Sequence, residues 1–227
     1  NVNRSEGRAK LSSLSASLAS TVSGARVAVL WPGDHWVGPA SYPLEGRDAD
    51  DSAWELKKFI TDNLRRGTRL RFAAHSLGCR VVMQVLKLIR GGDYIIDQVC
   101  LMAAAIDNDS LAATAEYRPA TENASRVAVL SSTQDTVLRY AYPMGDLLQA
   151  FLFSEEEFRS ALGLRGPRPS SRPFEAIPLN VLHRAIPDGR KARHSDYLPD
   201  EPPNANQQSA ARFAAAILAG TLDVMYA

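Results

Sequence analysis

Apolar positions along the chain follow two rhythms, a spacing of three to four residues and short unbroken runs, and the two alternate from one end to the other. Leu11, Leu14, Leu18 and Val22 repeat at helical spacing within a Ser/Ala-rich stretch, which predicts an amphipathic helix at the amino end. Serines interrupt each of its turns, so the stretch lacks the continuous apolar segment of a signal peptide. Ala25 to Trp31 (ARVAVLW) is a compact run closed by Pro32-Gly33 and predicts a buried strand. The aromatic, Gly/Pro-studded stretch from Asp34 to Asp50 then reads as a loop long enough to act as a lid. Ser52-Ala53-Trp54-Glu55 has the form of a capping box, and Leu56, Phe59, Ile60 and Leu64 continue at helical spacing up to Gly67.

The same alternation continues downstream. Arg69 to His75 predicts a second strand, Leu77 to Ile89 a helix ended by Gly91-Gly92, and Ile95 to Ile106 contains a third strand. Arg126 to Ser131 is a fourth. Beyond Thr136 the pattern is irregular: Leu147, Leu148, Phe151 and Leu152 suggest a helix, and Gly163 to Pro173 is Arg/Pro/Gly/Ser-rich and reads as mobile. Ile177 to His183 can form one more strand, and Ser209 to Leu218 a closing helix. Strand and helix in alternation imply right-handed crossovers, hence an α/β class with a mostly parallel sheet and helices on both faces. There is no internal repeat, so residues 1–227 are expected to form a single domain, with 34–50 and 151–173 as candidate lid segments.

Composition narrows the function classes. The 227 residues are 45% apolar and 22% charged, the balance of a folded globular chain. Lys+Arg 26 against Asp+Glu 25 leaves a net charge of +1, which supplies no field to hold nucleic acid or an anionic membrane. The longest apolar run, Val99 to Ile106, is far shorter than the roughly 20 residues that span a bilayer, so no transmembrane segment is expected, and the expected location is cytoplasmic. Cys79 and Cys100 are too few for a disulfide framework and form no CxxC unit, and the four histidines lack metal-ligand spacing. The one Gly-containing strand-to-helix turn is not a phosphate loop, so neither metal nor cofactor is implied.

That turn is the most informative segment. In Arg71-Phe72-Ala73-Ala74-His75-Ser76-Leu77-Gly78-Cys79 a strand runs into Ala-His-Ser-Leu-Gly and a helix leaves it, the context of a nucleophile elbow. Small residues, Ala74 and Gly78, stand two before and two after Ser76, where larger side chains are expected to collide with neighbouring backbone. Ser76 Oγ would stand at the carboxyl edge of the sheet, with Leu77 N–H and the start of the next helix placed to stabilise an oxyanion.

With these residues the chain resembles the α/β-hydrolase superfamily, and in particular its bacterial serine-esterase-like hydrolases of uncharacterised function. The resemblance rests on Leu30-Trp31-Pro32-Gly33-Asp34, Ala74-His75-Ser76-Leu77-Gly78, Met102-Ala103-Ala104-Ala105-Ile106-Asp107, Ser131-Ser132-Thr133-Gln134-Asp135 and His194-Ser195-Asp196-Tyr197. It implies the chain order nucleophile, acid, histidine, met here by Ser76, Asp135 and His194. The implied activity is a serine hydrolase that cleaves an ester or thioester of a small-molecule acyl substrate through an acyl-enzyme. The alternative is a binding or scaffold module that keeps the hydrolase fold without turnover. Asp107 competes with Asp135 as the acid. His183 reads as a core histidine inside a strand, His75 as a packing or hydrogen-bonding residue, His35 as a loop residue that either meets substrate or is solvated, and Cys79 as a buried thiol. Trp31, Trp36, Tyr42 and Tyr140 are candidates to line an acyl site. Superfamily members also carry a His-Gly segment that supplies a second oxyanion donor. This chain has none, and the expectation is that this segment and the first strands lie upstream of it.

Overall fold

The computed structural model describes residues 4–31, 42–89, 92–112, 115–140, 160–168, 176–186 and 191–221. Four strands, β1 (Arg69–His75), β2 (Ile95–Met102), β3 (Ala124–Ser131) and β4 (Val181–Ala185), lie side by side in that order, and all pairs are parallel. Parallel strands covered on both faces are expected to be apolar throughout, and β2 and β3 are: Val99, Cys100, Leu101 and Met102 pair with Val127 through Leu130 or with Phe72 to His75, and the central residues are fully buried. Of the two polar residues on β2, Asp97 is paired, whereas the buried Oε1 of Gln98 meets no hydrogen-bond donor among the described residues. Asp97 accepts from Arg71 Nε at 2.9 Å and lies 3.3 Å from Arg69 Nη1.

The strands are flanked in the chain by the helices α1 (Arg4–Leu18), α2 (Tyr42–Asn63), α3 (Gly78–Leu88), α4 (Arg118–Asn123), α5 (Leu162–Arg165) and α6 (Ala205–Ala219). α1 packs on α6, and α6 lies across β1 and β2; α2 packs on α3, which contacts α4 and β1. α6 is closed at both ends. Asn204 and Gln207 bond each other's main-chain N–H at 2.9 Å, and Gly220 at φ +75° ends the helix. Its Ala210, Ala211, Ala214 and Ala215 are buried, small enough to bring the helix close to the sheet. Along α1 the buried stripe is Gly7, Lys10, Leu14 and Leu18, with Leu11 only half-buried; Lys10 is tied to Asp200 at 2.7 Å. Among the described residues no helix is long and apolar enough to cross a membrane.

The structure corrects four expectations. Ala25 to Trp31 is not a strand: it forms no ladder, and Val27, Val29 and Leu30 are 64%, 40% and 45% exposed. An apolar alternation makes a strand only where a neighbour shares its ladder bonds, and β1 pairs only with β2 among the described residues. Part of the 34–50 loop is helix. α2 starts at Tyr42, with Pro43 in its first turn where a missing N–H costs nothing, so Ser52 lies mid-helix and not at a cap. The strand read over Ile177 to His183 begins at Val181, because 179–180 form a turn and Asn180 Nδ2 bonds Thr121 and Ala124 carbonyls at 2.8 Å each; His183 is an exposed strand residue and not a core one. Finally, residues 160–168, which lie in the candidate lid segment 151–173 and overlap the start of the stretch read as mobile, are packed: Ala161 and Leu162 are fully buried, Leu164 is buried, and Leu162 N and Gly163 N donate to Ile106 and Ala104 carbonyls at 2.7 and 2.9 Å.

Gly163 explains how that segment reaches the sheet edge. A Cβ there would stand 2.2 Å from Ala103 C and Ala104 N, so only glycine permits the contact. Gly163→Ala is expected to lower stability by about 3 kcal/mol, the upper end for overpacked interiors, read as a shift in urea midpoint at unchanged slope.

Candidate active site

In an all-parallel sheet the strand ends converge on one edge, and the loops leaving them meet there. The turn after β1 brings Ser76 to that edge with φ +56°, a left-handed conformation that a non-glycine residue adopts only when its surroundings compel it. Three main-chain bonds do so: Ser76 N donates to Met102 O at 3.0 Å, and Ser76 O accepts from Cys79 N at 3.1 Å and Ala105 N at 3.2 Å. The next residue, Leu77, is the N-cap of α3, and its N–H engages no other described residue. At Gly78 the steric expectation is not met. Among the described residues a Cβ there would meet nothing nearer than Trp31 Nε1 at 3.6 Å, an ordinary contact.

Asp135 follows β3 and is fully buried. A buried carboxylate must be paired, and this one is paired twice: Oδ1 accepts from Leu138 N at 3.0 Å, capping the helical residues 136–140, and Oδ2 faces His194 Nδ1 at 2.8 Å. His194 opens a 3₁₀ turn, His194–Tyr197, and is 17% exposed. Since a carboxylate only accepts, His194 Nδ1 carries the proton, and the lone pair of Nε2 faces Ser76 Oγ–H at 2.8 Å. The structure thus brings Ser76, His194 and Asp135 into one hydrogen-bonded line from hydroxyl to imidazole to carboxylate. Asp107, the competing acid, ends the loop after β2, where its main chain bridges to Ala161 and its carbonyl accepts from Ser110 Oγ at 2.7 Å.

The His194 turn is held on several sides. Ser132 Oγ donates to Ala192 O at 3.0 Å; Asp196 accepts from Arg193 N at 2.8 Å and from Asn204 Nδ2 and Asn206 Nδ2 at 3.1 and 3.2 Å, joining the turn to the start of α6. His75 Nε2–H donates to the His194 carbonyl at 2.7 Å, with the two rings 4.8 Å apart and Tyr197 beyond. Loss of hydration and the neighbouring His194 push the His75 imidazole down to about 3, so it is neutral at physiological pH. His183 lies elsewhere, bonded to Ser131 Oγ at 2.7 Å. Burial raises both thiols, Cys100 to about 12. Sequence reasoning missed these supporting contacts because most end on main-chain atoms; only the place of His75 beside Ser76 signalled its own.

Of the candidate acyl-site residues, Trp31 is half-buried beside the elbow and Tyr140 is 64% exposed at the end of the 136–140 helical stretch. Trp36 and His35 lie outside the described residues, as does the side chain of Tyr42. Among the described residues no cluster of three His, Cys, Asp or Glu could hold a metal ion.

Comparison with known proteins gives one family: a model described as alpha/beta hydrolase of unknown function (DUF900) matches residues 2–162, a span that includes Ser76 and Asp135 and ends before His194. No curated protein and no solved structure matches the chain.

The depressed His75 value carries a pH signature. Its unfolded-state value is 6.5, so between about 3 and 6.5 the unfolded chain binds the extra proton; the stability tied to neutral His75 is complete above 6.5 and is lost as pH falls through that window. His183 is lowered in the same sense. Unfolding free energy measured from pH 7 to 4.5 is expected to fall, and His75→Gln to flatten that fall.

Proposed function

We propose, from the premise that the chain belongs to the alpha/beta-hydrolase family of unknown function, that it is a serine hydrolase cleaving a carboxylic ester or thioester through an acyl-enzyme. One observation carries this reading: the line of 2.8 Å contacts from Ser76 Oγ through both His194 nitrogens to Asp135. Ser76 attacks the carbonyl carbon as His194 Nε2 takes its proton, and buried Asp135 stabilises the imidazolium that forms. The tetrahedral oxyanion falls beside Leu77 N–H at the start of α3, where the helix dipole adds to the stabilisation. Collapse expels the alcohol or thiol, which leaves with the proton from His194. Water then attacks the acyl-enzyme with His194 again as base, which releases the acid and restores Ser76. Trp31, half-buried against the elbow, supports an apolar wall for the acyl group.

A fluorophosphonate probe tests the reading, because it reacts only with an activated serine. Covalent labelling that disappears in Ser76→Ala is expected; a folded protein that stays unlabelled would overturn the enzyme reading in favour of a binding module with this fold. The acid is tested by Asp135→Asn and Asp107→Asn. Loss of the charge and of the correct tautomer at 135 is expected to lower turnover of a model ester about 10⁴-fold. Asp107→Asn is expected to stay within a few fold of wild type, and an equal or greater loss there would move the acid to Asp107.

A further inference from the structure

Two adjacent residues of the β1 turn touch the same residue of a loop more than a hundred positions away. Ser76 Oγ meets the His194 imidazole at 2.8 Å, while His75 Nε2–H donates to the His194 main-chain carbonyl at 2.7 Å. We propose that His75 is a positioning residue for the reaction, acting as a strut that fixes the main chain of His194 so that its Nε2 stays within bonding distance of Ser76 Oγ. This rests on the proposed triad.

The geometry assigns the role for three reasons. First, the bond links the two elements whose separation sets the nucleophile-to-base distance. β1 carries Ser76 directly after His75, and β1 is itself registered on β2 through His75 and Met102. Second, the bond falls on the carbonyl of His194 itself, so any slip of the turn toward or away from the sheet would have to break it. The other ties hold residue 192 to Ser132 after β3, close the turn from 193 to 196, and join 196 to the start of α6, and none of them connects His194 to the strand that precedes Ser76. Third, a neutral donor suits this place. The two imidazole centroids are 4.8 Å apart, so a cation at His75 would oppose the positive charge that His194 acquires when it takes the serine proton. A lysine or arginine there could supply the hydrogen bond only with that repulsion.

Three variants separate a strut from a packing residue. His75→Gln places an amide N–H close to the position of Nε2, His75→Phe keeps a ring without a donor, and His75→Asn stops one bond short of the carbonyl. The rate of fluorophosphonate labelling at saturating probe is read together with the melting temperature and the downfield ¹H resonance of the His194 Nδ1 proton. For His75→Gln we expect labelling within about threefold of wild type and the resonance retained. For Phe and Asn we expect about 10²-fold slower labelling, as for a reacting group displaced by about an ångström, with loss of the resonance. If Phe does not fold, Asn against Gln carries the comparison. Labelling of the Phe or Asn variant at the wild-type rate overturns the strut, as does equal loss in Gln and Asn, which would mark His75 as packing only. A wild-type protein that is not labelled at Ser76 overturns the proposed function and the strut together, whereas a labelled wild type with indifferent His75 variants overturns the strut alone.

Discussion

Ser76 is held in a backbone conformation that costs a non-glycine residue of order 1–3 kcal/mol, and the compensation comes from the strand next to it. Its N–H continues the ladder past the end of β1 onto Met102 O, and its carbonyl takes Ala105 N–H from the loop that leaves β2. The pattern repeats across the sheet. Ala103, at φ +46°, donates to Leu130 O at the end of β3, and Ile186 N donates to Ser131 O beyond β4. Each strand end is thus keyed to its neighbour, and the loop geometry at the edge is set by the buried strands beneath it. A displaced β2 would release the Ser76 turn before it affected any side chain of the site.

The place of Asp135 just past β3 answers the demands of a buried charge. A fully buried carboxylate is tolerable only with partners, and Asp135 obtains one from the helical start that it caps and the other from His194. The helix start also presents the positive end of its peptide dipoles to the carboxylate. One side chain therefore serves the fold and the imidazole at once, and the two demands agree in position and in charge. At the end of β2 the chain is packed against Gly163 at main-chain contact distance, which leaves room for alanines at 103 and 104.

Much of this was legible in the sequence. The β1, β2 and β3 runs and the helices after β1 and before the carboxyl end could be read from apolar periodicity, because burial on both faces of a parallel sheet writes itself as continuous apolar stretches. Ser76, Asp135 and His194 could be proposed as a set because each sits in a strand-end or polar-loop context with a recognisable order, and their side chains do meet. What was illegible shares a cause. The strand read at Ala25–Trp31 has the right residues but no ladder partner among the described residues, and pairing is not a property of a single segment. The packed 160–168 stretch looked loose because its Gly, Arg and Pro content signals a loop, while its burial depends on Ala103 and Ala104 far upstream. The supporting bonds of His194 end largely on carbonyls, which every residue has and no motif marks.

The position of β1 draws these points together. It is an edge strand among the described residues, half-exposed along most of its length, although it carries the Ser76 turn. A strand laddered on one side only is the less rigid for it, so the turn's rigidity has to come from elsewhere. β2 supplies it on one side through the main-chain bonds at Ser76. From the helical side α3 supplies it: Arg80, one turn into that helix, makes a bidentate pair with Asp50 of α2 at 3.0 and 2.9 Å, and Trp31 packs by Gly78. From the His194 loop the supply is the His75 bond to the His194 carbonyl. The turn is therefore fixed by contacts in three directions converging on residues 75 to 80, which is what the proposed reaction requires of Ser76 if its distance to His194 on another loop is to stay within a few tenths of an ångström.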